Sequence, residues 1–460
     1  MSNDLTTNNA FINPYTFVPL SKKGIKTAQD KGLIGIIECS LTIDPEHPLF
    51  IPNTTCRFEY PEPTKKPAEE KHWFYDFYSY ENLENAKPVG GCQWDEENAP
   101  KNPVIPGSEI RGMIRNIYEQ LTGSCMPVVN ETSSLFNRSL IAKKPSLLKP
   151  QNNGTYTFGD ILKKQGESSF NPCKTEAECC PACDLFGMSG DESFAGRLRF
   201  CDTALNGNPE FVKAVTLPIL GTPKITAAEF YMKKPTEKAK YWNYEYYYEQ
   251  YENKKENKPE IFKSFDKNNP AQLSGRKVYW LGKYNLKDIK VEPTIQNCTV
   301  RPLKNGSFKF KIYFDGISNE ELADLLFCLD FEDAKDGAMR HRIGKGKPIG
   351  MGAVKVNVDK ITQRTYNYKD GVIVPLDSSL PRSEHVSMRD AKKDIFAYAV
   401  PLPENEAALV AYPTLSDVNK IFEWFANNRG NINKPEYKDT LSELHGDKTL
   451  KKDPSPNTRR

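Results

Sequence analysis

The chain of 460 residues is 38% hydrophobic and 27% charged, and its 63 Lys and Arg residues nearly balance 60 Asp and Glu residues. This composition excludes a wholly disordered, collagen-like or coiled-coil protein, and any affinity for polyanions must come from local basic patches. No run approaches the roughly 18 apolar residues that span a bilayer, and the first residues lack a secretion signal. We therefore expect a cytoplasmic protein without a membrane partner, whose 11 cysteines are reduced thiols or metal ligands.

The predicted core elements follow the order strand, helix, strands, then strand, helix, strand. Apolar alternation and β-branched residues predict strands over 32–43, 196–201, 211–217, 307–314 and 353–358. A first helix begins near Ser108, its expected cap, and a second begins at a capping box formed by Ser318 and Glu321. This order is the split βαβ pattern of an α+β, ferredoxin-like (RRM-like) domain.

Long insertions enlarge the connections of this core. They cover residues 44–103, 126–185 and 222–297. The core with its insertions spans 1–360, and 361–460 is a C-terminal extension with a helix near 417–426 and a basic flexible tail. The tyrosine-rich segment 241–253 predicts a partly buried hairpin or helix, and base stacking on its rings is the alternative.

The start of the first helix, PGSEIRGMIR, has the features of an anion site. It offers free backbone amides, the Ser108 hydroxyl, and Arg111 and Arg115 spaced i to i+4 on one face. An ordinary capped surface helix is the alternative.

A glycine-rich loop, GKGKPIGMG, spans 344–352 and leads into the last core strand. Glycines allow close backbone approach and lysines supply charge, so the loop suits a phosphate backbone, although a structural turn is the alternative. Its spacing matches neither a dinucleotide fingerprint nor a P-loop. The candidate RNA-binding residues in and before this loop are Arg340, Arg342, Gly344, Lys345, Gly346, Lys347 and Gly350.

Cysteines crowd the segment NPCKTEAECCPACDLFG. The C-x-x-C of Cys180 and Cys183 has the spacing of a structural zinc site, with Cys173 and Cys125 completing four ligands and Cys179 as an alternative. Buried free thiols are the other interpretation.

Acidic residues before the first helix are candidates for metal-dependent cleavage. Asp95, with Glu96 as a competitor, would hold Mg²⁺ or position an attacking 2′-hydroxyl, and a solvated loop is the default. His72 and His341 are the histidines near candidate RNA surfaces, where acid–base cleavage would need them.

Four motifs in sequence, PVIPGSEIRGMIRNIYE, CPACDLFG, AGRLRFCD and GKGKPIGMGAVKV, resemble the RAMP superfamily of CRISPR-associated proteins, especially the backbone subunits of type III effectors. The resemblance covers about residues 30–360. It implies that Ser108, Arg111 and Arg115 face guide RNA and that the 344–352 loop contacts its backbone. It also implies a thumb-like insertion before Ile105 and places Asp95 near the position of the catalytic aspartate.

The resemblance implies a subunit of a type III-like RNA-guided effector complex that binds crRNA and helps present or cleave complementary target RNA in antiviral defence. Its partners would be crRNA, target RNA and other effector subunits or copies of itself, with zinc as structural metal and Mg²⁺ if it cleaves. Alternatives are a non-catalytic scaffold or terminal subunit and a crRNA-processing endoribonuclease. From another class, a zinc-stabilised assembly protein would have no RNA role.

Overall fold

The computed structural model describes residues 15–20, 22–24, 32–53, 58–59, 71–81, 99–132, 157–190, 192–218, 231–233, 235–236, 239–242, 244, 246–249, 261–282, 291–333 and 337–402. The helices are α1 (Gly107–Leu121), α2 (Phe158–Lys163), α3 (Pro181–Phe186), α4 (Asn319–Asp330) and α5 (Lys392–Ala399). The strands are β1 (Tyr15–Val18), β2 (Leu33–Ile43), β3 (Phe58–Glu59), β4 (Trp73–Tyr75), β5 (Val104–Ile105), β6 (Gly187–Met188), β7 (Phe194–Ala195), β8 (Leu198–Phe200), β9 (Thr203–Phe211), β10 (Val215–Thr216), β11 (Ala239–Trp242), β12 (Tyr246–Glu249), β13 (Ile261–Ser264), β14 (Arg276–Tyr279), β15 (Cys298–Val300), β16 (Leu303–Ile317), β17 (His341–Arg342), β18 (Ala353–Lys369) and β19 (Val372–Ser379).

A central antiparallel sheet has the strand order β17-β18-β2-β16-β9-β5. In its middle, Ile37 of β2 lies opposite Ile312 of β16 and Ile361 of β18. Strands β8 and β9 both pair with β16, so together they occupy one position of the sheet. The first core strand thus lies between the last and the third, which is the split βαβ arrangement. The predicted α+β, ferredoxin-like fold is confirmed.

Helices α1 and α4 cover one face of this sheet. Every second residue of β2 from Ile37 to Ile43 is buried, and α1 and α4 pack over that face. On α1 the buried residues Ile110, Ile114 and Ile117 recur every three or four positions, as an amphipathic helix requires. The periodicity that predicted both elements therefore reflects the core of the domain.

The capping box predicted for α4 is present. The Ser318 hydroxyl accepts a hydrogen bond from the Glu321 amide at 3.1 Å, and the Glu321 carboxylate accepts one from the Ser318 amide at 2.9 Å. Two amides that the helix leaves unpaired are thereby satisfied.

Replacing Ser318 by Ala is expected to lower the free energy of unfolding by about 1 kcal/mol, because the partly buried Glu321 amide loses its acceptor. Chemical denaturation of the variant measures this change. Replacing the exposed, non-capping Asn319 by Ala is the matched control, and equal stability of both variants would contradict the prediction.

The insertions form smaller sheets beside the core. Strands β10, β15, β4 and β3 form a four-stranded sheet, in which β15 runs parallel to β4. Next to it, the Arg301 guanidinium and the Asp76 carboxylate form a buried bidentate ion pair at 2.8 and 2.9 Å. The tyrosine-rich segment forms the β11–β12 hairpin, with Tyr244 and Tyr247 buried, as one of the two predicted conformations requires.

The predicted boundary at residue 360 lies inside β18, which continues to Lys369 and forms a hairpin with β19. The segment after this hairpin is held against α4 by ion pairs, including Arg382 with Asp330 at 2.8 Å. The part of the chain described up to 402 is therefore integrated with the core. The predicted helix near 417–426 and the basic tail lie outside the described residues.

A helix that crosses a membrane must be long and apolar. None of α1 to α5, the helices in the described ranges, meets that requirement.

Candidate nucleic-acid interface and metal centre

The first helix begins at a tight corner between two of the sequence motifs. Its N-cap is Pro106, and the Gly107 amide donates a hydrogen bond to the Asp202 carboxylate at 2.7 Å, while the Tyr80 hydroxyl donates to the same carboxylate. A Cβ atom on Gly107 would collide with the Phe200 carbonyl. The prediction that Ser108 caps the helix is wrong, because Asp202 supplies the acceptor and leaves the exposed Ser108 inside the first turn.

The glycine-rich loop is a compact turn between β17 and β18. Gly344, Gly346, Gly350 and Gly352 all have φ between 75° and 80°, which side-chain-bearing residues rarely adopt. A Cβ atom at Gly344 would also collide with the carbonyl of Phe50. The glycines are therefore needed for the fold of the loop, whatever the loop binds.

A cavity of about 390 Å³ lies between α1 and this loop. It brings together residues far apart in the sequence, since α1, β14, β17, the loop and α5 all contribute to it. Four cationic side chains line it, and Glu109 is the one carboxylate among its lining residues. Its polar walls include Ser108, Lys277, Arg340, Arg342, Gly344 and Lys347. Five of the predicted RNA-binding residues thus meet in one place.

The cations of the loop are partly anchored by internal carbonyls. Arg342 donates to the Tyr398 carbonyl at 2.6 Å, and Lys347 donates to the Gly344 carbonyl at 2.6 Å. Burial lowers the pKa of Arg342 to about 10 and also lowers the pKa of Lys347. Arg340 is paired with Asp44 at 3.1 Å. The charges are held in fixed positions at some desolvation cost, which an anion in the cavity would offset.

Lys277 is the cation that sequence reasoning missed. Its ammonium lies 4.2 Å from the ring centre of Tyr15, 5.1 Å from that of Tyr279 and 6.0 Å from that of Tyr231. Within the described part of the chain no carboxylate pairs with it, and burial lowers its pKa to about 8. No local motif marks this lysine, because the pairing of β14 with the distant β1 builds its surroundings.

Arg111 and Arg115 point away from the cavity. The Arg111 guanidinium donates to the Phe186 carbonyl, and Arg115 binds Glu119 at 2.9 Å and the Gly187 carbonyl at 3.0 Å. They share a face, as their spacing predicts, and this face meets the cysteine-rich segment. Contact of either residue with RNA stays a prediction.

The remaining predicted site residues do not line the cavity or lie outside the described residues. Lys345 is exposed beside Tyr75, and Gly346 and Gly350 shape the loop without lining the cavity. Asp95 and Glu96 lie outside the described residues, so their catalytic role stays a prediction.

Four cysteine sulfurs come together at the end of α1. The Sγ atoms of Cys125, Cys173, Cys180 and Cys183 lie within 4.8 Å of one another, and Cys179 is not among them. Cys125 Sγ is 3.6 Å from Cys183 Sγ and 3.7 Å from Cys180 Sγ. Disulfide sulfurs are about 2.05 Å apart, whereas four thiolates around zinc, each about 2.3 Å from the metal, are roughly 3.8 Å apart. The arrangement therefore fits a tetrahedral metal ion.

Neighbouring cations and hydrogen bonds support this group. Arg115 Nη2 lies 3.6 Å from Cys183 Sγ, where a positive charge favours the thiolate. Arg276 donates to the Cys125 carbonyl at 2.9 Å and pairs with Glu119, which also binds Arg115. One network thus joins the metal centre, α1 and β14. Arg276 is adjacent in β14 to Lys277, which lines the cavity.

The fold is that of a ferredoxin-like protein with a glycine-rich loop before its last core strand. Two of the sequence motifs lie at the start of α1 and in this loop. The family model of the RAMP superfamily matches residues 42–355, which is well over half of the chain. The chain belongs to the RAMP superfamily, and the resemblance of its sequence to that superfamily is confirmed.

Two further comparisons complete this result. No curated protein matches the sequence. Among solved structures, a chain of a "Type IV-B CRISPR Complex" is similar over 70% of this chain and 90% of that chain, with 10% identity and a TM-score of 0.26.

Proposed function

We propose that this chain is an RNA-binding subunit of a CRISPR effector complex and that the cavity between α1 and the glycine loop holds the crRNA backbone. One observation supports this proposal: the start of α1, the glycine-rich loop and Lys277 all line one cavity. Four cations and only one carboxylate are among the described residues that line this cavity. Phosphate oxygens would neutralise these cations and accept their hydrogen bonds.

The finer parts of the proposal rest on the family resemblance. The chain would act in a type III-like complex, together with other effector subunits or copies of itself, and help present complementary target RNA. Guide–target pairing would supply the sequence specificity, so the protein needs backbone contacts rather than base readout. Cleavage of target RNA with Mg²⁺ would require Asp95, and loss of cleavage by the assembled complex on replacing Asp95 by Ala tests that role.

A zinc ion in the four-cysteine centre is part of the proposal. Its role would be structural, because four protein sulfurs leave no open position for a substrate. Cys125, Cys173, Cys180 and Cys183 would hold it and thereby fix the end of α1 against the cysteine-rich segment.

The alternative of acid–base crRNA processing is less well supported by the histidines. Both ring nitrogens of His72 have hydrogen-bond partners, at 2.8 Å from the Thr294 carbonyl and 2.9 Å from the Thr299 hydroxyl. His341 is buried, and burial lowers its pKa to about 4, so it is neutral at physiological pH. Both nitrogens of His72 are thus engaged, and the low pKa of His341 makes it a weak general base.

The proposed RNA contact predicts strongly salt-dependent binding. Replacing Lys277 and Lys347 together by Met is expected to weaken binding of a guide-length RNA about 100-fold at low salt and to reduce the slope of log K against log [salt] by about 2. Fluorescence anisotropy across a salt series measures both quantities. Replacing the exposed Lys267 by Met removes a charge of the same insertion away from the cavity and is expected to leave binding unchanged.

Small RNA that accompanies the protein provides the second readout. Protein purified with its partner subunits from cells carrying a CRISPR array should retain guides with a common repeat-derived handle. Absence of guide RNA from that assembly, together with salt-independent RNA binding, would contradict the proposal and favour an assembly protein without an RNA role.

A further inference from the structure

Gly112 lies in the interior of α1, where glycine is one of the least favourable residues. Its backbone is helical, and an added Cβ atom would have no neighbour within 4 Å, so neither conformation nor packing requires a glycine here. Gly112 lines the cavity together with Ser108 and Asn116, which lie four residues before and after it on the same face. The helix therefore presents bare backbone to the cavity.

Two residues of β17 carry buried polar atoms that lack a hydrogen-bond partner among the described residues. They are Nδ1 of His341 and Nε of Arg342, and both residues line the cavity. Because His341 Nε2 lies 2.8 Å from the Leu329 carbonyl, Nε2 carries the proton and Nδ1 is an acceptor. The Arg342 Nε atom is a donor. Buried polar atoms normally have partners, so these two atoms favour a ligand that both donates and accepts hydrogen bonds.

The cavity also has an apolar side. Met113, Ile117 and Val278 are buried residues of its wall, and Tyr279 is a further lining residue. Inorganic phosphate would engage the cations and leave this apolar surface unused. The cavity volume falls in the range of about 300–1,000 Å³ that is typical of small-molecule sites.

We infer that the cavity binds one ribonucleotide unit, with the phosphate at the cations of Lys277 and Lys347, the sugar against Gly112, and the base against Tyr279 and the apolar wall. A nucleotide combines the anion, the apolar ring and the hydrogen-bonding groups that the three sides of the cavity require. The unit has two sources, a displaced residue of a bound RNA or a free mononucleotide. The first source rests on the proposed RNA-binding function.

The test uses the full chain and Gly112→Ala. Alanine is more favourable than glycine inside a helix, so we expect the melting temperature to rise by about 2 °C. The added methyl group occupies the space proposed for the sugar, so we expect nucleotide binding to weaken at least tenfold. Titration calorimetry with AMP, CMP, GMP, UMP and inorganic phosphate measures binding, and at least one nucleotide should bind ten times more tightly than phosphate. Tyr279→Ala gives a second variant, which should weaken nucleotide but not phosphate binding.

The outcomes separate this inference from the proposed function. Weaker binding of a guide-length RNA by Gly112→Ala without binding of free nucleotides identifies an RNA residue as the source, and tight binding of a free nucleotide identifies the other source. RNA binding that is salt-dependent but unaffected by Gly112→Ala and Tyr279→Ala, without nucleotide binding, overturns the inference and leaves the proposed function standing. Failure of the wild-type protein to bind either RNA or nucleotides overturns both.

Discussion

The purified protein is expected to contain one zinc ion per chain and to lose several kcal/mol of stability when that ion is removed. The four sulfurs have the spacing of a tetrahedral thiolate site. Metal binding to such sites contributes folding free energy directly, on the order of 10 kcal/mol in isolated zinc-finger peptides. The loss here is expected to be smaller, because the central sheet supplies a core of its own.

Elemental analysis and thermal denaturation with and without a chelator measure this effect. Cys173→Ser and Cys180→Ser are each expected to lose the metal and lower the melting temperature. Cys201→Ser is the matched control, because this partly buried cysteine lies outside the four-sulfur group. Retention of metal by Cys173→Ser together with its loss from Cys179→Ser would show that the ligand set is a different one.

Metal removal is expected to reach the cavity as well. Arg276 donates to the Cys125 carbonyl and pairs with Glu119 of α1, and the next residue of the same strand is Lys277. A loosened Cys125 would remove one anchor of Arg276, so the neighbouring Lys277 ammonium would be held less firmly at the cavity. Chelation should therefore weaken RNA binding in the same titration that reports the loss of stability.

Local patterns in the sequence predict the core of this fold well. The alternation of β2, the three- and four-residue spacing of α1 and the capping box of Ser318 and Glu321 each arise from neighbouring residues, so they can be read directly. The length of a strand is harder to predict. The extension of β18 to Lys369 depends on its pairing with β19 beyond the edge of β2, which the pattern at 353–358 does not encode.

The candidate site depends more on contacts between distant residues. The spacing of Arg111 and Arg115 correctly predicts a common face, but the partner of that face is set by the position of α3. Asp202, not Ser108, accepts the hydrogen bond at the start of α1, because strand β8 ends just before Asp202 at that corner. Lys277 reaches the cavity through the pairing of β14 with β1, and no motif surrounds it. Cys125 could be predicted as a ligand although it is distant in the sequence, because a C-x-x-C zinc site needs further ligands.

RNA binding is expected to weaken as the pH rises above about 8, by up to tenfold per pH unit, because Lys277 then loses its charge. Burial lowers the pKa of Lys277 from 10.5 to about 8 in the folded protein. Bound phosphate favours the ammonium form and raises this pKa, so the decrease in affinity begins at the pKa of the free protein and ends at that of the complex. The tyrosines beside Lys277 do not titrate there, since burial raises the pKa of Tyr231 to about 12 and also raises that of Tyr279. Burial also lowers the pKa of Lys347 in the same cavity, so variants of Lys277 are needed to separate the two lysines.

The stability of the free protein should change in the opposite direction. Between pH 8 and 10.5 the unfolded chain still binds the Lys277 proton while the folded protein has released it, so this lysine makes stability rise with pH. Replacing Lys277 by Arg keeps the charge across this range and is expected to flatten the decrease in affinity, whereas Met removes both effects. RNA titrations and denaturation at matched ionic strength measure the two slopes. A Lys277→Arg variant whose RNA affinity falls with pH as steeply as that of the wild type would show that another group controls binding.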